Sequence, residues 1–297
     1  MDASKKYWES TIETIPKQTR LVLNEYLLSL KLANRAEGTV TKYRWVLERF
    51  FSECTVPLNQ ITSDHILTWL NEFSSGKKEK TIDFSLSTLS SFFNFCLAED
   101  YIEFPVIKKR WRPKIPQSLP KYLTEQEYAR VKLAAEELSL RDRAIVLFLF
   151  STGCRRSEMM NLNVEDVNLG RRTAKVKGKG KKIRYIHFSI ECAIVLKDYL
   201  RTRSGNPSEP LFLNKFGERL KETGIYGVTR KLGKKAGLKQ SLHPHCFRHT
   251  FATTMLSKGA ELEFIADEMG HANLNTTRIY ARIPTEDMIL AYQNKMG

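Results

Sequence analysis

The stretch KKRWRPKIPQSLPKYL, residues 108–123, sets the first limit on what this chain can fold into. Pro113, Pro116 and Pro120 each fix φ and remove a backbone donor, so no helix can run through them. Basic residues throughout give the stretch the composition of an extended linker. The chain is therefore expected to form two domains, residues 1–112 and 123–297, joined by a basic linker at 113–122, with the first ~15 residues as an extension. A length of 297 residues with 42% hydrophobic residues is enough to give each part a core of its own.

Apolar residues before the linker recur at helical spacing. Val40, Tyr43, Leu47 and Phe50 form one stripe, and Ile82, Leu86, Leu89, Phe93 and Cys96 form another over four turns. The first part reads as all-helical. After the linker, Thr124 and Glu127 have the spacing of a capping box, and AIVLFLF, Ala144 to Phe150, reads as a buried helix too short to span a bilayer. Between helices, RRTAKVKGKGKKIRYIHFS places two β-rich segments around a Gly-Lys-Gly turn, a basic hairpin. From Arg171 to Arg184 there are eight basic residues and no acidic ones, and strand alternation aims several of them at one side.

Charge narrows the partners. The formal net charge is +15, and it is uneven: residues 1–112 carry 16 Lys and Arg against 14 Asp and Glu, whereas 113–297 carry 32 against 19. Such an excess favours a polyanion, with nucleic acid first. Five scattered cysteines with no CxxC pair fit a reducing compartment better than a disulfide framework. The polar start, MDASKKYWES, lacks the apolar run of a signal peptide, so a soluble, cytoplasmic protein with no membrane partner is expected.

The segment HPHCFRHT, His243 to Thr250, admits two chemistries. His245 and His249 stand at the spacing of two zinc ligands on a helix, with Cys246 as a third donor. No carboxylate lies nearby in sequence, however, and Arg248 would set a fixed charge beside the metal. Binding of a phosphate uses the cluster better. Pro244 suits the first position of a helix, which places His245 in the first turn and Arg248 on the same face, at an end that favours anions. A guanidinium adds bidentate donors, and an imidazole adds a proton carrier near neutral pH. Upstream, STGCRRSEMMNL presents Arg155 at the start of a helix, with Glu158 one turn later to buttress it. Downstream, EMGHANLNTTRIYAR reads as a helix end at Gly270, an exposed His271, and a helix capped near Asn275 or Thr276 that carries Tyr280.

These motifs, T-G-x-R-x-S-E, then G-K-G in a hairpin, then H-x-x-R-H, then G-H with a tyrosine nine residues later, together resemble the tyrosine recombinase (phage integrase) family. The resemblance implies a mainly α fold: a helical core-binding domain that clamps DNA, then a mixed α/β catalytic domain, mostly helical with a small antiparallel β-sheet. Residue by residue it implies a catalytic set of Arg155, Lys179, His245, Arg248, His271 and Tyr280, with Glu158 in support. Tyr280 would attack a DNA phosphodiester to give a 3′-phosphotyrosyl strand and a free 5′ hydroxyl, and rejoining would pass through a Holliday junction. His245 would serve as base and Lys179 as acid, while Arg155, Arg248 and His271 would stabilise the phosphorane. No metal, ATP or other cofactor is implied.

The same resemblance implies a homotetramer on double-stranded DNA, linked by a C-terminal exchange helix at about 285–297; Met288, Ile289 and Tyr292 have helical spacing there. Lys177, Lys181, Lys182 and Arg184 on the hairpin and Arg230, Lys234 and Lys235 in TRKLGKKAG are candidate phosphate contacts. The compact length leads us to expect a two-domain enzyme without an arm-binding domain. Its biological role is expected to be integration, excision or cointegrate resolution for a bacterial mobile element, at the nucleoid, with accessory proteins as further partners. Xer-like chromosome or plasmid dimer resolution stays open beside it. So do a type IB topoisomerase, which is chemically close, and a non-catalytic DNA-binding regulator.

Overall fold

Four helices bury the aromatic stripes of the N-terminal part: α1 (Lys17–Leu32), α2 (Glu37–Glu53), α3 (Ser63–Ser74) and α4 (Glu79–Ala98). The structure, a computed structural model, describes residues 6–115, 120–178, 182–203, 206–271 and 273–282. The chain divides into two compact units, Met1–Gln117 and Ser118–Gly297. In the first, Leu23, Leu27, Leu47, Phe50, Phe51, Ile66, Leu89 and Phe92 are wholly shielded from solvent. Phe50 meets Phe51 at 4.9 Å, Trp69 at 5.2 Å and Phe93 at 6.0 Å, each edge-on, the arrangement that aromatic quadrupoles favour.

In the second unit the Thr124 capping box is formed. The Thr124 hydroxyl accepts from the Glu127 amide at 3.2 Å and the Glu127 carboxylate accepts from the Thr124 amide at 3.1 Å, opening α5 (Glu125–Glu136). Helix α6 (Leu140–Thr152) contains the AIVLFLF run. It is buried on every side, Ala144 through Phe150, and so has almost no amphipathic face. Short α7 (Arg156–Met160) leads into a three-stranded antiparallel sheet of β1 (Val167–Asn168), β2 (Thr173–Lys177) and β3 (Ile183–His187), in that order. Then follow α8 (Ile190–Arg201), α9 (Glu222–Lys235), α10 (Pro244–Ser257), α11 (Leu262–Met269) and four-residue α12 (Asn275–Arg278). The chain is mainly helical with one small sheet, as the sequence led us to expect.

Sheet register sorts the hairpin's side chains. Ala174 pairs with Ile186 and Val176 with Arg184, and Ala174, Val176 and Ile186 are buried, so Arg184 lies on the inward face. Lys175, Lys177, Ile183 and Tyr185 alternate to the outside. Lys179 and Lys181 lie outside the described residues, as does the segment at 285–297. Among the described residues no helix is long and apolar enough to cross a membrane.

Candidate active site

The C-terminal end of α11 organises the site. The last carbonyls of a helix have no intrahelical partner and carry the negative end of its dipole. Gly270, at φ +66, ends α11 in the left-handed conformation, and a Cβ there would stand 2.7 Å from the Arg184 guanidinium. Three arginines from distant segments take up the exposed carbonyls. Arg155 Nη2 donates to the Gly270 carbonyl at 2.8 Å, Arg248 Nη2 to that of Met269 at 2.8 Å, and Arg184 to those of Glu268 and Met269 at 3.2 Å each.

Each guanidinium has a second anchor. Arg248, 5% exposed on α10, also donates to the Gly153 carbonyl at 2.7 Å, where α6 ends in its own left-handed glycine. Burial, with the like charge of Arg155 behind it, brings the Arg248 pKa down to about 10, so the group remains charged at neutral pH. Arg155 and Arg184 share Glu158, which is 3% exposed. Arg155 Nη1 reaches Glu158 at 2.8 Å, its backbone amide does so at 2.8 Å, and Arg184 binds both carboxylate oxygens at 2.8 and 2.9 Å. Burial alone would raise the Glu158 carboxyl; the hydrogen bonds from Arg184 and from the Arg155 amide outweigh it and hold the group below the usual carboxylate range.

The histidines line the same region. Helix α10 begins with Pro244 at its first position, so His245 stands on its first turn, exposed to solvent. Burial of its inner side, then the neighbouring His243 and Arg156, lowers the His245 pKa, and the imidazole is neutral at pH 7. His271 follows Gly270 directly; its Nδ1 is 2.8 Å from the Thr277 hydroxyl, and burial plus the charges of Arg248 and Arg155 push its pKa down to about 4. It is partly buried rather than exposed.

Tyr280 opens a 3-10 turn, Tyr280–Arg282, beyond α12 rather than riding on the helix, and α12 has no side-chain cap from Asn275 or Thr276. The tyrosine is 2% exposed, packed with Phe251, Ala252, Ile265 and Met269. Burial pushes its phenol up to about 12, against the pull of Arg248's charge. Its hydroxyl lies 2.8 Å from Nδ1 of His249, the last residue of the H-x-x-R-H motif, to which the resemblance assigns no catalytic role. The link joins positions 31 apart, and no local pattern marks it.

The structure thus brings together Arg155, Glu158, His245, Arg248, His271 and Tyr280 in the second unit. Arg184 joins this group instead of the phosphate-facing surface where the sequence reading put it, because register turns it inward and every nitrogen of its guanidinium is already bonded within the protein. Lys177 and Lys182 are exposed, as are Arg230, Lys234 and Lys235 on α9, the last in an ion pair with Glu137 at 2.7 Å. Among the described residues no group of three or more His, Cys, Asp or Glu is arranged to hold a metal ion.

Comparison with known proteins matches residues 121–286 to the Phage integrase family and residues 23–100 to the Phage integrase N-terminal SAM-like domain. The chain is 36% identical over 272 residues to tyrosine recombinase XerA of Pyrococcus horikoshii, covering 90% of each chain. It is 32% identical over 287 residues to tyrosine recombinase XerC of Thermodesulfovibrio yellowstonii, covering 92% of this chain and 95% of that one. Among solved structures, an XerA recombinase superposes with a TM-score of 0.54 at 28% identity, covering 94% of this chain and 99% of that one. The XerH recombinase bound to a palindromic difH substrate shares the fold, with a TM-score of 0.75 at 22% identity over 97% of this chain and 92% of that one. Fold and relatives together define the class, a DNA strand-transferring enzyme. The chain belongs to the phage integrase family, the tyrosine recombinases.

Proposed function

We propose that the chain performs site-specific recombination by using Tyr280 to cleave and rejoin double-stranded DNA. The observation that carries this reading is the convergence of Arg155 and Arg248 on neighbouring carbonyls of one helix end, in the region that holds His245, His271 and Tyr280. In this role the phenolate oxygen bonds to phosphorus, the bond to the 5′ oxygen breaks, and that oxygen leaves as a hydroxyl. The neutral His245 imidazole accepts the phenol's proton. Lys179, outside the described residues, is assigned the donation of a proton to the leaving oxygen on the resemblance alone. Arg155, Arg248 and His271 face the growing charge, where loss of one such donor costs on the order of 3 kcal/mol. Glu158 holds Arg155 in place through two hydrogen bonds. Because the phosphotyrosyl bond conserves the energy of the broken ester, rejoining needs no ATP.

Exposed Lys177, Lys182, Arg230 and Lys234 are the proposed backbone contacts, giving affinity that falls steeply with salt. Lys181, outside the described residues, is proposed with them. Assembly as a tetramer through a helix at about 285–297 finds support in a cleft of about 420 Å³ on the second unit, whose lining includes Leu147, Phe150, Phe251, Met255 and Phe264. Integration or resolution for a mobile element and Xer-like dimer resolution both fit; the relatives' names, XerA and XerC, favour keeping the second. Acting on DNA, the protein would work at the nucleoid, in the cytoplasm.

The test is covalent capture. Wild type incubated with labelled DNA flanking its gene, then denatured in SDS, is expected to yield a protein–DNA adduct that Tyr280→Phe does not form. Adducts from both proteins, or from neither even on nicked DNA that traps them, would remove Tyr280 from the reaction.

A further inference from the structure

The hydrogen bond between Tyr280 and His249 has no part in the chemistry just described. It nevertheless holds the one atom that must move. Attack on phosphorus needs the reacting atoms within about 3–3.5 Å of each other. A tyrosine 2% exposed and packed among Phe251, Ala252, Ile265 and Met269 cannot offer its oxygen to a phosphodiester outside the protein. In this conformation the nucleophile is withdrawn.

We propose that His249 is a positioning residue that keeps Tyr280 withdrawn: its Nδ1 accepts the phenol's hydrogen bond, and cleavage requires that bond to be given up. The inference rests on Tyr280 being the nucleophile, as argued above. His249 lies one helical turn after His245 and next to Arg248, so a hydroxyl that leaves it enters the neighbourhood of the groups assigned to the phosphate. The hydrogen bond spans 2.8 Å, and the rings stand 5.6 Å apart. With the phenol near 12 and the imidazole near 4, both partners are neutral at pH 7. In the tautomer that carries the imidazole proton on Nε2, the phenol donates and Nδ1 accepts. So wide a gap keeps the proton on the phenol, and His249 stores the nucleophile in its inactive form instead of deprotonating it. The backbone around Tyr280 is a four-residue helix and a 3-10 turn, elements short enough to rearrange once the side chain is released.

The experiment compares His249→Ala, which removes the acceptor, with His249→Asn, whose amide oxygen can stand where Nδ1 stood. Single-turnover cleavage is followed on nicked half-sites of the protein's own recombination site, located by the adduct assay. His249→Ala is expected to form the adduct about two- to tenfold faster than wild type, the span set by loss of one hydrogen bond, and His249→Asn to stay close to wild type. The ring-carbon NMR signal of labelled Tyr280 should move in the alanine variant and be restored by asparagine. Should the alanine variant not fold, His249→Gln, which places its amide near the Nε2 position, takes its place and is expected to be faster than His249→Asn. An unchanged or slower rate in folded His249→Ala, or in His249→Gln a rate no faster than that of His249→Asn, overturns the inference while leaving Tyr280 as the nucleophile. An adduct that persists in Tyr280→Phe overturns the underlying reading whatever His249 does.

Discussion

The two units solve burial differently. Among the described residues, the polar side chains buried in the N-terminal unit are Ser10, Thr19, Ser85 and Thr88, and no charged group joins them. Its interior is aliphatic and aromatic, held by dispersion and exclusion of water. The C-terminal unit buries Glu158, Arg248 and Glu268, all within reach of one end of α11. Removing a charge from water costs several kcal/mol, which well-packed apolar residues would avoid. In the second unit these charges are paired with one another and with helix-end carbonyls, which fixes in place the donors that the proposed reaction uses. A preorganised set of donors does not have to reorient when charge develops.

This contrast can be broken first at its strongest points. Phe50→Ala, in the apolar core, and Glu158→Ala, in the charged one, are each expected to destabilise the protein by about 3–5 kcal/mol in denaturant titrations, for different reasons. The first leaves a cavity, whereas the second leaves two partly buried guanidinium groups without their buried carboxylate. A second change should tell them apart. Adding Arg184→Met to Glu158→Ala is expected to recover part of the loss, since it removes one of the orphaned charges. A Glu158→Ala variant as stable as wild type would show that the ion cluster contributes nothing to the fold.

Acidification is a weaker probe of the same difference. His249 and His271 sit near 4 in the folded protein against about 6.5 unfolded, so between those values the unfolded chain binds more protons. Their contribution is complete above pH 6.5 and is lost as the pH falls toward 4, on the order of 2 kcal/mol for each histidine by pH 5. Glu158 acts in the same sense at lower pH: its depressed carboxyl stabilises the fold above the unfolded carboxylate value, and that support disappears as the pH drops through its folded value. Hydrogen exchange at pH 7 and pH 5, corrected for intrinsic rates, should show protection lost around α10 and α11 first. Equal loss across both units would contradict the assignment.

The smallest expected effect lies outside either core. Thr124→Ala removes the hydroxyl that caps α5 and should cost about 1 kcal/mol with no change in adduct yield on trapped DNA.

Several parts of the site were legible because the chemistry is local. Pro244 starting α10, Gly270 ending α11 and the Arg155–Glu158 capping pair follow from short-range rules of helix termini, and the apolar stripes of α2 and α4 follow from period alone. Arg184 was misread although its signal was present: it shares parity with Ile186, two residues away on one strand, so facing inward was the consistent choice. Two-residue β1 offers too few positions for any period to show. The four-residue α12 likewise ends before Tyr280 because a helix so short has little cooperative support to continue.

What the sequence by itself determined, then, is the class: two units, mainly helical, basic in the second, with a set of residues whose order matches one family. Tertiary structure decided which of those residues meet. The three arginines come from positions 155, 184 and 248 to adjoining carbonyls at 268–270, and Tyr280 reaches back 31 positions to His249. Propensity and periodicity act over a few residues, whereas these contacts depend on unpaired carbonyls and an imidazole that only chain closure brings within 3.2 Å.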